Sequence, residues 1–270
     1  MLWRSSDLDG YEIAATDGPV GSVDDMLFEE ARWTVRWLVV DTGGRLIGRQ
    51  VLLSPEALGH PDAAYRRIPA NLTRRQVEDS PPFAGDRPLS RDVETSLYDY
   101  YGWTPYWDAD LFPPIGYLAG GIGGGYLVPP GPEARDPAAD AAGYKPGSGG
   151  ELPDRSPEEP ELRSLGDMMG YAIRATDGDI GHAEDFLIDD EGWRIRYMVV
   201  DTRNWLPGRK VLVSPHWIRD VDWLEQRVHV DLTRRAIENS PPYDPSRPLD
   251  RAYEAELHGH YGREDYWPVG

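Results

Sequence analysis

Oppositely charged side chains flank the same turn at two places in the sequence. Asp41 and Arg49 stand on either side of a glycine-containing turn, and Asp201 and Arg209 take the same positions 160 residues later. A carboxylate and a guanidinium at the mouth of a small sheet could form a polar recognition site. The alternative is an ion pair or Asx-turn that only fixes the loop. We favour this alternative, because Asp and Gly dominate turns for local reasons.

Two pairs of arginines stand at the start of predicted helices. Arg74 and Arg75 follow a threonine, and Arg234 and Arg235 repeat the arrangement. The free backbone N–H groups of a helix N-terminus bind anions, so these arginines could belong to an anion site. Cations at this end oppose the helix dipole, however. We therefore expect a tertiary partner for them, such as a carboxylate of the other repeat.

Tryptophans form the last group of candidate residues. Trp33 and Trp193 are equivalent, and so are Trp107 and Trp267. An aromatic side chain that is kept in both copies serves the core or the contact between copies better than a single ligand site. Trp107 and Trp267 are therefore predicted to take part in partner binding or in inter-repeat packing.

The sequence offers no residues for a catalytic, cofactor or metal site. Cysteine is absent, and none of the six histidines recurs in the other copy. His258 and His260 are two apart on a predicted helix and so point to different faces, whereas zinc needs three or four converging ligands. The glycine-rich residues 120–125 lack the rest of a phosphate-binding motif. We therefore predict a protein that is not an enzyme and has no cofactor or metal; a hydrolase is the weakest rival.

These candidate residues occur in pairs because the chain contains a duplication. Residues 10–107 and 170–267 align without a gap at an offset of 160, and 43 of the 98 positions are identical. A period of this length indicates a duplicated domain, because solenoid units repeat every 20–50 residues. A residue kept in both copies serves the fold or a twofold site. A residue found in one copy can serve at most an asymmetric site.

Composition excludes several classes of partner. The chain has 270 residues and a formal net charge of −19. Without a basic surface, nucleic acid is an unsuitable partner. The sequence begins without a recognisable signal peptide and contains no 18-residue apolar stretch, so we expect no membrane insertion. The lack of cysteine fits a reducing compartment, and we expect a cytoplasmic location.

Each repeat is predicted to be rich in strands first and helical last. Short strands are expected near residues 11–15, 21–28, 33–41, 49–53 and 66–70, with the last clearer at 227–230 in the second copy. Short strands at this spacing suggest a small barrel or a tightly curled sheet. A short helix should begin at Thr73, which starts a capping box, and a second should run from Ser90 to Gly102.

Domain boundaries follow from the duplication. We expect repeat 1 with its helical tail at 1–108, a Gly/Pro-rich linker at 109–164, and repeat 2 with its tail at 165–270. A flexible linker of this length lets the two domains meet. Its apolar residues within 111–128 are expected to dock on a domain surface.

The paired motifs resemble those of a known family. They comprise Gly-Tyr-x-Ile-x-Ala-x-Asp-Gly, then Val-Val-Asp-Thr, then Gly-Arg-x-Val-Leu-x-Ser-Pro, and cover roughly residues 8–55 and 165–215. This pattern resembles the PRC-barrel domain, a small β-barrel shared by the photosynthetic reaction-centre H subunit and a ribosome maturation factor. The tails resemble the helical extension of a bacterial subgroup. The resemblance implies a non-catalytic adaptor or assembly domain.

The sequence therefore predicts a mainly β protein with some helix (α+β). We expect two small PRC-type β-barrels, each followed by a short helical pair, packed as an intramolecular pseudo-dimer through the helical tails. The expected function is a soluble, non-enzymatic adaptor or scaffold that binds a protein partner. The alternative is a small-molecule or ion sensor that uses the cleft between the two repeats.

Overall fold

The computed structural model describes residues 1–43, 49–85, 89–109, 162–202, 209–247, 249–264 and 266, and the structural statements below concern these residues. The chain is mainly β with a few short helices, and its strands form two seven-stranded sheets. The predicted class, mainly β with some helix, is confirmed. Most of the predicted linker lies outside the described residues, as does the docking expected for residues 111–128.

Strands come first and helices last in each repeat, as the sequence predicts. The first half contains β1 (Leu2–Arg4), α1 (Ser5–Leu8), β2 (Glu12–Ala15), β3 (Gly18–Glu29), β4 (Thr34–Asp41), β5 (Gln50–Leu53), β6 (Arg67–Pro69), α2 (Arg74–Glu78), β7 (Pro82–Phe83), α3 (Arg91–Tyr101) and α4 (Tyr106–Ala109). The second half contains β8 (Leu162–Ser164), α5 (Leu165–Met168), β9 (Ala172–Ala175), β10 (Gly178–Asp189), β11 (Ile195–Asp201), β12 (Lys210–Val213), β13 (Ile218–Asp222), β14 (Arg227–Val230), α6 (Arg234–Glu238) and α7 (Arg251–Tyr261).

The two sheets repeat the same central order of strands. The first runs β6-β2-β3-β4-β5-β7, and the second runs β12-β11-β10-β9-β14-β13. Their registers also agree: Asp41 pairs with Gln50 in the first sheet, and Asp201 pairs with Lys210 in the second. The expectation of duplicated folds is confirmed at the level of strand order.

Neither sheet closes into the barrel that the sequence suggests. Each is an open path of strands, although the long strands β3 and β10 carry three register shifts each, which bend the sheet. In the first sheet both edge strands are short and contain a proline, Pro69 in β6 and Pro82 in β7. Proline has no N–H to donate, so these edges cannot extend the ladder toward each other.

Close backbone approach explains one glycine of each repeat. A Cβ atom on Gly21 would lie 2.3 Å from the carbonyl oxygen of Asp41, and one on Gly181 would lie 2.1 Å from that of Asp201. Any larger residue must therefore push β3 away from the end of β4, or β10 away from β11. The glycine thus lets β3 lie against the end of β4 where the turn after Asp41 begins.

The helical tails begin and end where the sequence predicts. Thr73 and Gln76 form the expected capping box of α2, whereas α6 keeps only the threonine half. Helix α3 begins after Ser90 and ends at Gly102, which has the left-handed conformation of a helix C-cap (φ 70°).

The predicted role of the tails as the contact between repeats is wrong. Each tail packs on its own sheet, because the buried faces of α3 and α7 contact β4 and β11 through Glu94 and Glu254. Val93, expected in the buried face, is 41% exposed. The short strands β1 and β8, which were not predicted, join the repeats instead.

Candidate functional site

The two repeats exchange strands reciprocally. Strand β1, which precedes the first repeat, pairs with β10 of the second, and β8, which precedes the second repeat, pairs with β3 of the first. Each sheet is thus completed by a segment that lies next to the other repeat in sequence. This exchange holds the two repeats together.

A pseudo-twofold axis passes between the β3–β4 hairpin and the β10–β11 hairpin. Thr34 and Arg194, which are equivalent residues, form an isolated bridge with each other. The N–H of Val35 donates to the carbonyl of Trp193, and the N–H of Ile195 donates to the carbonyl of Trp33, both at 2.8 Å. The backbones of Trp33 and Trp193, for which the sequence predicts a role in the core or in inter-repeat packing, therefore lie at the contact between the repeats.

Carboxylates reinforce the exchange on both sides of this axis, one of them half-buried (Asp25) and the other buried (Asp185). Asp25 accepts hydrogen bonds from the Ser164 hydroxyl and the Gly166 N–H, while its equivalent Asp185 accepts from Ser5 and Ser6. Burial raises the pKa of Asp25, although the hydrogen bond from Ser164 opposes the rise. The helices α1 and α5 are therefore fastened to the opposite repeat.

A cleft of about 380 Å³ opens beside the axis and is built by both repeats. It is lined by residues 34–36, 54–56, 58–60, Tyr98 and Tyr106 of the first repeat and by residues 190–193 of the second. The strand exchange creates it, because it brings the end of the β10–β11 hairpin over the first sheet.

An arginine and a tyrosine form the polar floor of the cleft. Arg36 is bonded through Nε and Nη2 to Glu29, and its guanidinium lies 4.0 Å from the centre of the Tyr106 ring. Tyr106 is 8% exposed, and its buried hydroxyl has no hydrogen-bond partner among the described residues. Burial raises the pKa of Tyr106 to about 12, so the hydroxyl keeps its proton at neutral pH.

Three carboxylates and a histidine line the same cleft. Asp190 accepts from the Trp3 indole and the Met1 amino group, and His60 lies 3.4 Å away from it. Burial raises the pKa of Glu56, with Arg36 opposing the rise. Neither Glu56 nor Glu191 has an ion pair within the part of the chain that the structure describes.

The residues that line the cleft differ from those at the equivalent positions across the pseudo-twofold axis. Gly59 and Gly192 correspond to Arg219 and Arg32 in the opposite copy. The position of Ala57, beside the cleft, is taken by Trp217, which is 3% exposed. Small residues thus keep one side open, and large or cationic residues occupy the equivalent positions on the other.

The predicted turn residues lie outside this cleft and fix loops. Asp41 accepts the N–H of Gly43, which is an Asx-turn. Arg49 donates to the carbonyl of Ser80, and Arg209 donates in the same way to Ser240. Asp201 is 1% exposed. The local interpretation favoured from the sequence therefore agrees with these contacts, which fasten the Ser-Pro-Pro segment to the sheet.

The arginine pairs stay within their own repeats. Arg74 is bonded to Glu78 and Arg75 to Asp79, each one helical turn along α2. The expectation that these two arginines pair with a carboxylate of the other repeat is therefore wrong. The carboxylates four residues further along the same exposed helix surface lie closer to these arginines than the carboxylates of the other repeat do. In the second copy Arg235 is exposed, and the N–H of Arg234 donates to Asp177.

Trp107 also contacts its own repeat. The Arg91 guanidinium lies 3.8 Å from the centre of its indole ring, and the Tyr98 ring packs edge-on at 5.2 Å. Trp267 lies outside the described residues. The site residues chosen from the sequence thus serve local structure where they are described.

The residues that line the cleft were missed because they differ between copies. The predicted site residues all recur in both copies, and recurrence selects structural positions. A search for pairs that change size or charge would have found Gly59 with Arg219 and Gly192 with Arg32. Nothing in the sequence alone brings these positions together, because their contact depends on the strand exchange.

Comparison with known proteins gives no identification. No protein-family model matches the chain, and no curated protein matches it. Within the described ranges, no group of three or more His, Asp or Glu side chains could hold a metal ion. No described helix is both long enough and apolar enough to cross a bilayer.

Proposed function

We propose that the protein is a non-enzymatic binding protein whose ligand site is the cleft between its two repeats. The observation that carries the proposal is that residues of both repeats build this cleft next to the pseudo-twofold axis, with a lining that differs from the equivalent residues across the axis. Such a site suits a small-molecule or ion sensor, the alternative that the sequence leaves open beside an adaptor. Its volume of about 380 Å³ lies within the range of small-molecule sites, roughly 300–1,000 Å³.

The lining supports binding rather than catalysis. Arg36 is already held by Glu29, and Tyr106 keeps its proton. An acyl- or group-transfer reaction needs a nucleophile that is hydrogen-bonded to a general base. Of the lining hydroxyls, Thr34 donates to a backbone carbonyl and Ser54 accepts a backbone N–H, and neither is bonded to His60 or to a lining carboxylate among the described residues. Fixed polar groups around a preformed space are sufficient to recognise a ligand.

A protein-binding adaptor or scaffold is the second candidate. Tyr65 and Leu224 are 72% and 91% exposed, and they occupy corresponding hairpin ends of the two repeats. Such side chains could anchor a partner at two points. They are separate side chains rather than one contiguous patch, so the adaptor function has less support than ligand binding in the cleft.

The family and the location belong to the same proposal. Two curled sheets with matching strand order are compatible with two PRC-type domains arranged as an intramolecular pseudo-dimer. That family implies a non-catalytic role. The absence of cysteine from the sequence supports a reducing, cytoplasmic setting.

A thermal-shift screen of the full chain tests the ligand proposal. A library of small metabolites of every charge type is compared between the native protein and Gly192→Arg, which places a long side chain in the cleft. We expect at least one compound to raise the unfolding temperature of the native protein and not of the variant. If every stabilising compound acts equally on both proteins, the cleft is not the site.

A capture experiment tests the adaptor. Affinity purification with the native chain is compared with Tyr65→Ser/Leu224→Ser. A partner that is lost with the double variant would favour the adaptor over the cleft, whereas equal recovery from both baits would remove the support that these side chains give.

A further inference from the structure

The charge of the cleft differs from that of the equivalent surface across the pseudo-twofold axis. The cleft has Glu56 and Glu191, where the opposite copy has His216 and Ala31. It also has two glycines where the opposite copy has Arg219 and Arg32. One side is therefore open and anionic, and the other carries cations at the same positions.

Arg36 does not cancel this negative charge. Both of its bonded nitrogens, Nε and Nη2, are directed to Glu29, which is 4% exposed. Asp190 is likewise bonded to Trp3. Asp190 is also paired with the Met1 amino group. Of the carboxylates that line the cleft, Glu56 and Glu191 thus have no ion pair among the described residues, and both residues are exposed.

An unpartnered hydroxyl adds a second, independent feature. In the second repeat the Tyr266 hydroxyl donates to Glu254 and accepts from Arg251. In the first repeat the corresponding Tyr106 lines the cleft, and its hydroxyl has no partner at hydrogen-bonding geometry among the described residues, although Arg91, the counterpart of Arg251, lies near enough to lower its pKa. Trp37 stands where the second repeat has Tyr197. Its indole N–H donates to Oε1 of Glu94, the residue that corresponds to Glu254. A buried hydroxyl without a partner costs free energy that a ligand N–H group would recover.

From these features we infer that the cleft binds a small organic cation, namely an aliphatic amine or guanidine that is protonated at neutral pH. Carboxylates at its rim attract the cation, and the Tyr106 oxygen can accept one of its N–H groups. The inference rests on the proposed function, because it names the class of ligand for the same cleft.

A polyatomic cation fits better than a metal ion. A metal ion needs several ligand atoms that converge on one point, and no three His, Asp or Glu side chains within the described ranges do so. An extended cation carries N–H donors that reach separate acceptors across a cleft. Burial raises the pKa of Glu56, and a bound positive charge would lower it again.

Titration calorimetry of the full chain tests the inference. The probes are 1,4-diaminobutane and 4-aminobutylguanidine, with 1,4-butanediol as the neutral control and succinate as the anionic control. We expect saturable binding of at least one cationic probe, weakened by added salt, and no binding of the diol or succinate.

Variants assign the binding to the cleft. Glu56→Gln and Glu191→Gln should each weaken it about tenfold, as expected when a charge-assisted hydrogen bond is lost. The matched control is Glu256→Gln, the same change at an exposed position of α7, and it should leave the affinity unchanged.

Two further variants block the cleft with side chains that the opposite copy carries. Gly59→Arg and Gly192→Arg should each abolish binding. Both should fold, because a Cβ atom at either position meets its nearest neighbours at 3.5 Å, an ordinary contact. Thermal unfolding without ligand shows whether each variant is folded. If one variant fails to fold, the other still tests whether a blocked cleft binds the cation.

The outcomes separate the two levels of the proposal. If no cationic probe binds, or if the blocked variants bind it as well as the native protein does, the inference is overturned. Equal binding of the diol or succinate also overturns it. A neutral or anionic compound that binds the native protein but not Gly192→Arg would leave the proposed function intact and exclude only the cationic class.

Discussion

The indole N–H of Trp37 donates to Oε1 of Glu94 at 2.9 Å, within the core of the first repeat. The equivalent pair in the second repeat is the hydroxyl of Tyr197 and Oε1 of Glu254, at 3.1 Å. The two glutamates are 1% and 3% exposed. Each one fastens the long tail helix to the central strand of its own sheet.

The stability of the protein should depend on the charge of Glu94. Burial raises the pKa of this carboxyl, and the bonds from Trp37 and Arg91 offset the rise only in part. The folded state therefore binds the proton more tightly than the unfolded state. The free energy of unfolding should fall as pH rises from the ordinary glutamate pKa, about 4.3, through the raised folded value.

Glu94→Gln removes this dependence and keeps an oxygen that can accept the indole N–H. The variant should gain stability relative to the native protein as pH rises through that window. Urea unfolding at several pH values between 4 and 8 measures the difference. Glu256→Gln, at an exposed glutamate of α7 with no ion pair among the described residues, is the control and should show no such trend. A constant difference for Glu94→Gln across this range would contradict the prediction.

Removal of Asp25 should weaken the contact between repeats. Asp25→Ala leaves the Ser164 hydroxyl and the Gly166 N–H without their acceptor, at a cost of about 1–3 kcal/mol. Asp24→Ala, which changes the exposed neighbour, should cost much less. Chemical denaturation measures both. Equal effects of the two substitutions would mean that Asp25 does not stabilise the exchange.

A shortened protein of residues 1–108 should form a homodimer. It retains β1 but lacks β8, so its β3 is left without the strand that pairs with Leu27, Phe28 and Glu29. The β1 strands of two copies can fill this position on each other, as β1 and β8 do in the full chain. Light scattering at micromolar concentration measures the mass.

The matched form begins at residue 5 and so lacks β1. It should be monomeric, since it can no longer donate a strand. A dimer that persists without β1 would show that another surface, such as the tails, joins the copies.

Gly21 should not tolerate a side chain. In Gly21→Ala the new Cβ would lie 2.3 Å from the Asp41 carbonyl oxygen, so the strands must separate, and we expect a loss of about 2 kcal/mol or more. Gly59→Ala is the control, because its Cβ has room, and its effect should stay within about 0.5 kcal/mol. Thermal unfolding compares the two. Similar stabilities would show that the sheet adapts to a Cβ at position 21 without cost.

Much of the fold could be predicted because local signals set it. The capping box at Thr73 and the glycine at 102 mark helix ends through backbone hydrogen bonding, which acts over a few residues. Strands β2 to β6 follow the β-branched and aromatic pattern. Strands β1 and β8 could not be predicted in this way, since three residues carry no periodicity and their partners lie far away in sequence.

The candidate site could not be predicted for a related reason. Glu56 and Glu191 lie in different repeats, and only the exchange brings them to one cleft. Their residue types are ordinary for a surface, so composition gives no signal. Recurrence indicated residues such as Arg49 and Arg209 as the site instead. Their hydrogen bonds to the carbonyls of Ser80 and Ser240 fasten loops.

The reciprocal exchange also has a consequence for how the chain is made. The strand that completes β3 lies about 130 residues further along the chain. At about 5–20 residues per second, a ribosome needs roughly 7–27 s to supply it. During this interval the nascent first half has an open sheet edge, which can pair with a neighbouring nascent chain. Faithful folding therefore depends on the second half arriving before a second copy does, so crowded polysomes should favour intermolecular exchange.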